Sequence, residues 1–229
     1  MSTFSRRRGL VTALAASPSL LLSRFAAAQG PSVPEEGTDY QLVVNPQPTD
    51  SPGKIEVLDF FWYGCPHCYA FLPALENWRK RQPADVAYKH IPVAFDAGRE
   101  AHSKIFYALQ ALHRVDGPDG LHVRVFDAFN RDRIRLNERD EIADFMEKQG
   151  IDRAKWLAAY DSFSVAGSIN RARMITQAYM IEGTPTLAID GRFLTSPSIA
   201  STHTNDGTLY VVDYLVEKVR RERAPRKKG

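Results

Sequence analysis

The chain has 229 residues, of which 44% are hydrophobic and 25% charged, with a formal net charge of +3 at pH 7. A chain this long buries roughly two-thirds of its unfolded surface and needs no disulfide or metal to fold, and its composition excludes disordered and collagen-like classes. The first 28 residues hold four arginines and no acid, so the rest carries a net charge of 3 − 4 = −1, which argues against nucleic acid as a partner.

Residues 1–28 have the layout of a cleaved export signal. A basic start precedes a charge-free, largely apolar run over 9–23, and "FAAAQG" offers small residues before a cut after Ala28. The run is shorter than the roughly 20 residues a membrane span needs, although Arg24 leaves an uncleaved anchor as the alternative. Arg6 and Arg7 faintly resemble a twin-arginine signal, but Gly9 stands where a large apolar residue is usual.

Residues 29–53 are rich in Pro, Gly and polar groups, apart from "YQLVV" at 40–44, which suits an edge strand. "KIEVLDFFWY" at 54–63 is apolar on both faces and predicts a central strand, with Asp59 as its odd acid. Gly64 ends it. Helical spacing follows from Cys65, with Pro73 predicting a kink or interruption. "DVAYKHIPVAF" at 85–95 predicts a second strand, parallel to the first because a helix joins them.

From about 101 to 181 the periodicity is helical, with a stop at Gly150 and a cap at Asp152. Strands return in "TPTLAIDGRFL" at 184–194, where Asp190-Gly191 predicts a hairpin turn. A last helix, capped by Asn205 or Asp206, leads into the basic "EKVRRERAPRKKG", best read as a solvated, fraying end. The expected organisation is an export signal at 1–28, one α/β unit over 29–98 and 182–222 interrupted by helices over 99–181, and a basic tail at 223–229.

Both cysteines of the chain stand in "FFWYGCPHCY", residues 60–69. A structural bridge between Cys65 and Cys68 would close so short a loop that it removes little unfolded-chain entropy. Metal binding would call for a second cysteine pair, and covalent haem for a histidine where Tyr69 stands. A redox centre accounts for the local order of residues. A strand, Gly64 and a helix start put the Cys65 sulfur, exposed, where unpaired amides favour thiolate. Pro66 suits the first helical position, His67 can support the thiolate, and Cys68, one turn deeper, can resolve a mixed disulfide.

Two remote features join this centre. Asp59 can exchange a proton with Cys68 through water, with Lys89 on the neighbouring strand holding its charge; the plainer alternative is an ion pair at a strand end. In "GTPT", 183–186, Pro185 fits a bend before a strand, and a cis Thr184-Pro185 bond would leave the main chain of Thr184 open to an extended substrate.

Together, "VLDFFWYGCPHCY", the inserted helices and "GTPT" before a hairpin resemble the DsbA family of periplasmic thiol:disulfide oxidases. The resemblance spans about residues 40–220 and implies an α/β thioredoxin-like fold with an inserted all-helical subdomain. It implies Cys65 as the attacking cysteine, Cys68 as its buried partner and Pro185 as a cis-proline beside them. Asp59 stands where relatives often carry a buried Glu, one methylene longer. No cofactor is implied. The implied partners are unfolded exported proteins with free cysteines and a quinone-linked membrane partner resembling DsbB, with the chain itself a monomer. An isomerase or reductase on the same fold, and a non-enzymatic holdase using the surface around Trp62 and Tyr63, are the competing functions.

Overall fold

The computed structural model describes residues 32–225; the expected export signal and residues 226–229 lie outside them. Strand β1 is Gln41–Leu42, β2 is Ile55–Phe61, and helix α1, Pro66–Lys80, leads to β3, Val86–Pro92. Five helices follow: α2 (Ala97–Ala111), α3 (His122–Asn130), α4 (Arg139–Lys148), α5 (Arg153–Tyr160) and α6 (Phe163–Ala178). The hairpin β4 (Thr186–Ile189) and β5 (Phe193–Thr195) and the helix α7 (Asn205–Arg223) close the chain.

The strands form one sheet in the order β1-β5-β4-β2-β3. β2 lies parallel to β3 and antiparallel to β4, and every residue of it is buried. Its alternation sorts the core. Val57 packs with Phe71, Leu75 and Trp78 of α1 and Leu215 of α7, whereas Leu58 and Phe60 join a larger cluster that takes in Tyr179. That larger cluster also contains Phe106, Phe126, Met146 and Trp156, so the inserted helices share one core with the sheet.

Three local expectations meet tertiary corrections. The interruption expected at Pro73 is not found: α1 runs unbroken past it, because burial of Phe71, Leu72, Leu75 and Trp78 on its inner face outweighs one missing backbone bond. The cap of α7 is Thr204, whose side chain accepts from the Gly207 amide, while Asn205 instead donates to the Ala70 carbonyl across the gap to α1. The start of the basic end does not fray. Arg220 pairs with Asp85 and Arg223 with Asp190, fastening the last turns of α7 to the sheet. Asp190 and Gly191 both take positive φ in the hairpin turn, and a Cβ at Gly191 would collide with the Gln47 carbonyl.

Candidate active site

Four residues, 62–65, carry the chain from the end of β2 into α1, and the turn is built around aromatic packing. Gly64 is required there because any Cβ would strike the indole of Trp62 and the ring of Phe129. Asn130, at the end of α3, donates to the carbonyls of Tyr63 and Phe126 and so fixes the turn against the helical insertion. Cys65 is the N-cap of α1 and Pro66 its first residue. The Cys68 amide donates to the Cys65 sulfur at 3.4 Å. Capping by sulfur meets one of the unpaired amides at the helix start and places the sulfur at the positive end of the helix dipole.

The two thiols, both free, differ sharply in acidity. Cys65 is pulled down to about 5: the hydrogen bond from the Cys68 thiol contributes most, burial opposes it, and Thr184 and the amides of Cys68 and His67 add further hydrogen bonds. Cys68 is pushed well above the ordinary thiol range, chiefly by burial, then by its hydrogen bond to Cys65 and the charge there. The exposure expected of Cys65 is not found. Cys65 is 6% exposed and Cys68 4%, because the sulfur of Cys65 lies against the neighbouring chain, 3.3 Å from the Thr184 carbonyl. His67 is exposed, and it is its backbone amide that reaches the Cys65 sulfur.

Asp59 is buried, 3% exposed, and its partners are not the expected ones. Tyr88 donates its hydroxyl to Asp59 Oδ2 at 2.8 Å, and His90 Nδ1 lies 3.1 Å from the same oxygen. Lys89 does not hold the charge of Asp59; it pairs with Glu56 at 2.5 Å. The register explains the correction. Asp59 lies beside His90 and Val57 beside Tyr88, so 88 and 90 share its face, while Lys89 lies beside Leu58 and points to the opposite face. Beyond His90 the ring of His122 follows at 4.4 Å, with His122 Nδ1 2.9 Å from the Tyr63 hydroxyl. Burial, then the neighbouring His90, holds His122 well below the usual imidazole range, so it is neutral at pH 7.

The Thr184–Pro185 peptide bond is cis, immediately before β4. His67, Thr184 and Pro185 line a groove of about 620 Å³ that runs on past Met180, 63% exposed, to Ile199. The arrangement joins a stabilised thiolate, a sheltered second thiol and an open cleft beside them. Among the described residues, no group of three or more His, Cys, Asp or Glu side chains is arranged to hold a metal ion.

Comparison with known families agrees with this geometry: the model for the DSBA-like thioredoxin domain matches residues 56–203. The chain belongs to that DSBA-like family. Curated relatives named thiol:disulfide interchange protein DsbA include one from Bordetella parapertussis, 41% identical over 96% of this chain and 99% of its own. One from Burkholderia cepacia is 40% identical over 88% and 93%. The crystal structure of Pseudomonas aeruginosa DsbA superposes with a TM-score of 0.77 at 35% identity, covering 82% of this chain and 95% of that one. The DSBA-like fold thus brings Cys65, Pro66, His67, Cys68, Thr184 and Pro185 to one place, and sets Asp59 in the sheet beneath α1. Tyr88, His90, His122 and Asn130 were missed from sequence. Only the odd-even parity of "AYKHIP" against Asp59 carried a signal for the first two, and reading it required the register.

Proposed function

We propose that this chain is a protein thiol:disulfide oxidoreductase that donates a Cys65–Cys68 disulfide to newly exported proteins in the periplasm. The observation that carries this is the split in acidity between the two thiols, with Cys65 drawn down to about 5 at the cap of α1. A thiolate of the client attacks the Cys65 sulfur, forming an intermolecular disulfide while the Cys65–Cys68 bond breaks and Cys68 takes up a proton. A second client thiolate attacks the client's own sulfur, expelling Cys65 as thiolate. The client leaves oxidised by two electrons and the enzyme reduced by two. A sulfur of low pKa leaves readily, so the equilibrium favours disulfide in the client.

Cys68 carries the opposite burden, since a sheltered thiol must lose its proton whenever it attacks a mixed disulfide. Asp59, held by Tyr88 and His90, serves as the proton acceptor through water. Thr184 and Pro185 receive the client's extended main chain in the groove beside His67. The chain acts as a monomer delivered by the signal at residues 1–28, and a quinone-linked membrane protein resembling DsbB takes its electrons. Among the described residues no helix is long and apolar enough to cross a membrane.

Equilibration of the protein with glutathione tests this. The expected reduction potential is well above the about −270 mV of thioredoxin, and Cys65→Ser should abolish oxidation of a reduced client. A potential near the thioredoxin value would make the protein a reductase, and client folding undiminished by Cys65→Ser would make it a holdase.

A further inference from the structure

β3 forms one edge of the sheet, and the phase of its ladder determines which main-chain groups remain free. Val93 donates its amide to the Phe61 carbonyl, and Ile55 donates to the Asp85 carbonyl. Odd-numbered residues of β3 therefore turn their main chain toward β2, and Tyr88 and His90 turn theirs outward. The outer edge is stopped at both ends. At one end the Val86 amide is taken by the Pro83 carbonyl. At the other, Pro92 has no amide to donate. Between these stops, no described residue hydrogen bonds to the main chain of Tyr88 or His90.

A groove of about 580 Å³ lies against this open stretch, bounded by Tyr88, Lys89, His90 and Ile91 of β3 and by residues of α2 and α6. Phe106 and Ile175 supply apolar wall. The charges around it are already matched, Lys89 with Glu56, Arg79 with Asp116 and Arg171 with Asp50. Such a rim complements a partner without net charge, and two residues' worth of alternating amides and carbonyls complement another extended backbone.

We propose that the free edge of β3 is a second docking surface, which takes an extended segment of unfolded polypeptide as a short added strand. Recognition through main chain is tolerant of sequence, as suits the varied clients of the preceding section. β3 stands two strand spacings, roughly 10 Å, from β4, whose start bears Pro185. A client held at Cys65 can thus be gripped again by a segment remote from its cysteine.

The test uses a cysteine-free peptide, acetyl-Thr-Val-Thr-Val-Thr-amide, so that its outcome does not depend on the thiol chemistry. Amide exchange is followed residue by residue by NMR, with and without saturating peptide. Exchange at Tyr88 and His90 is expected to slow by about tenfold or more. N-methylation of alternate peptide amides should weaken binding by about tenfold or more. Absence of protection at these two residues, protection confined to Thr184 and Thr186, or undiminished binding of the N-methylated peptide overturns the proposal. Protection that appears without peptide and grows with protein concentration also overturns it, assigning the edge to a second copy of the chain.

Discussion

At the scale of single residues, the Cys65 sulfur carries most of the chemical weight. Its folded pKa of about 5 lies below the about 8.5 of an unperturbed thiol. A lowered acid stabilises the folded state fully above the unfolded pKa, and the contribution is lost as pH falls through the folded one. The reduced protein should therefore gain stability from pH 5 to about 8.5, a gain the oxidised form, having no thiol to ionise, lacks. Cys68 works in the other direction. Its raised pKa keeps it protonated where the unfolded chain would ionise, which removes stability above about 8.5. Chemical denaturation of both redox forms across this range should show the reduced form drawing ahead as pH rises toward 8.5. Thiolate absorbance should report a first ionisation near 5, and an oxidised form more stable at neutral pH would contradict it.

Helix starts and strand parity decide most of what happens at the scale of elements. α1 begins at a sulfur cap, whereas α7 begins at the hydroxyl of Thr204. Thr204→Ala should cost about 1 kcal/mol in urea denaturation. Asp206→Ala, which loses only a favourable charge in the first turn, should cost about 0.5 kcal/mol. A larger loss from Asp206→Ala would restore the cap expected from sequence. Parity governs the other correction, since Lys89 misses Asp59 through belonging to the wrong half of a period of two. A lysine at an adjacent position looks well placed in the sequence and lies on the wrong side of a sheet in space. Central placement of β2, its parallel partner and the Asp190-Gly191 turn were all legible beforehand, because apolar runs and turn residues are local signals.

Taken whole, the molecule joins its helical insertion to the sheet through a shared core, which predicts that the two unfold together. Trp156 of α5 and Phe61 of β2 belong to the same buried cluster although nearly a hundred residues separate them. Trp156→Ala should therefore destabilise the protein by about 3–5 kcal/mol. Loss of near-ultraviolet ellipticity and exposure of Cys68 to alkylation should then share one transition midpoint. Two separated transitions would show that the insertion folds independently.

Sequence by itself determined the order of elements, the exported character of residues 1–28 as an expectation, and the pairing of Cys65 with Cys68 at a helix start. Each of these depends on neighbours within a turn or a strand. Only the tertiary structure decided that Cys65 is sheltered against Thr184, that Tyr88 and His90 rather than Lys89 face Asp59, and that α7 is fastened at its end by Arg220 and Arg223. Those outcomes depend on register and on contacts between residues 29 to 135 positions apart, which no local period of 2 or 3.6 encodes.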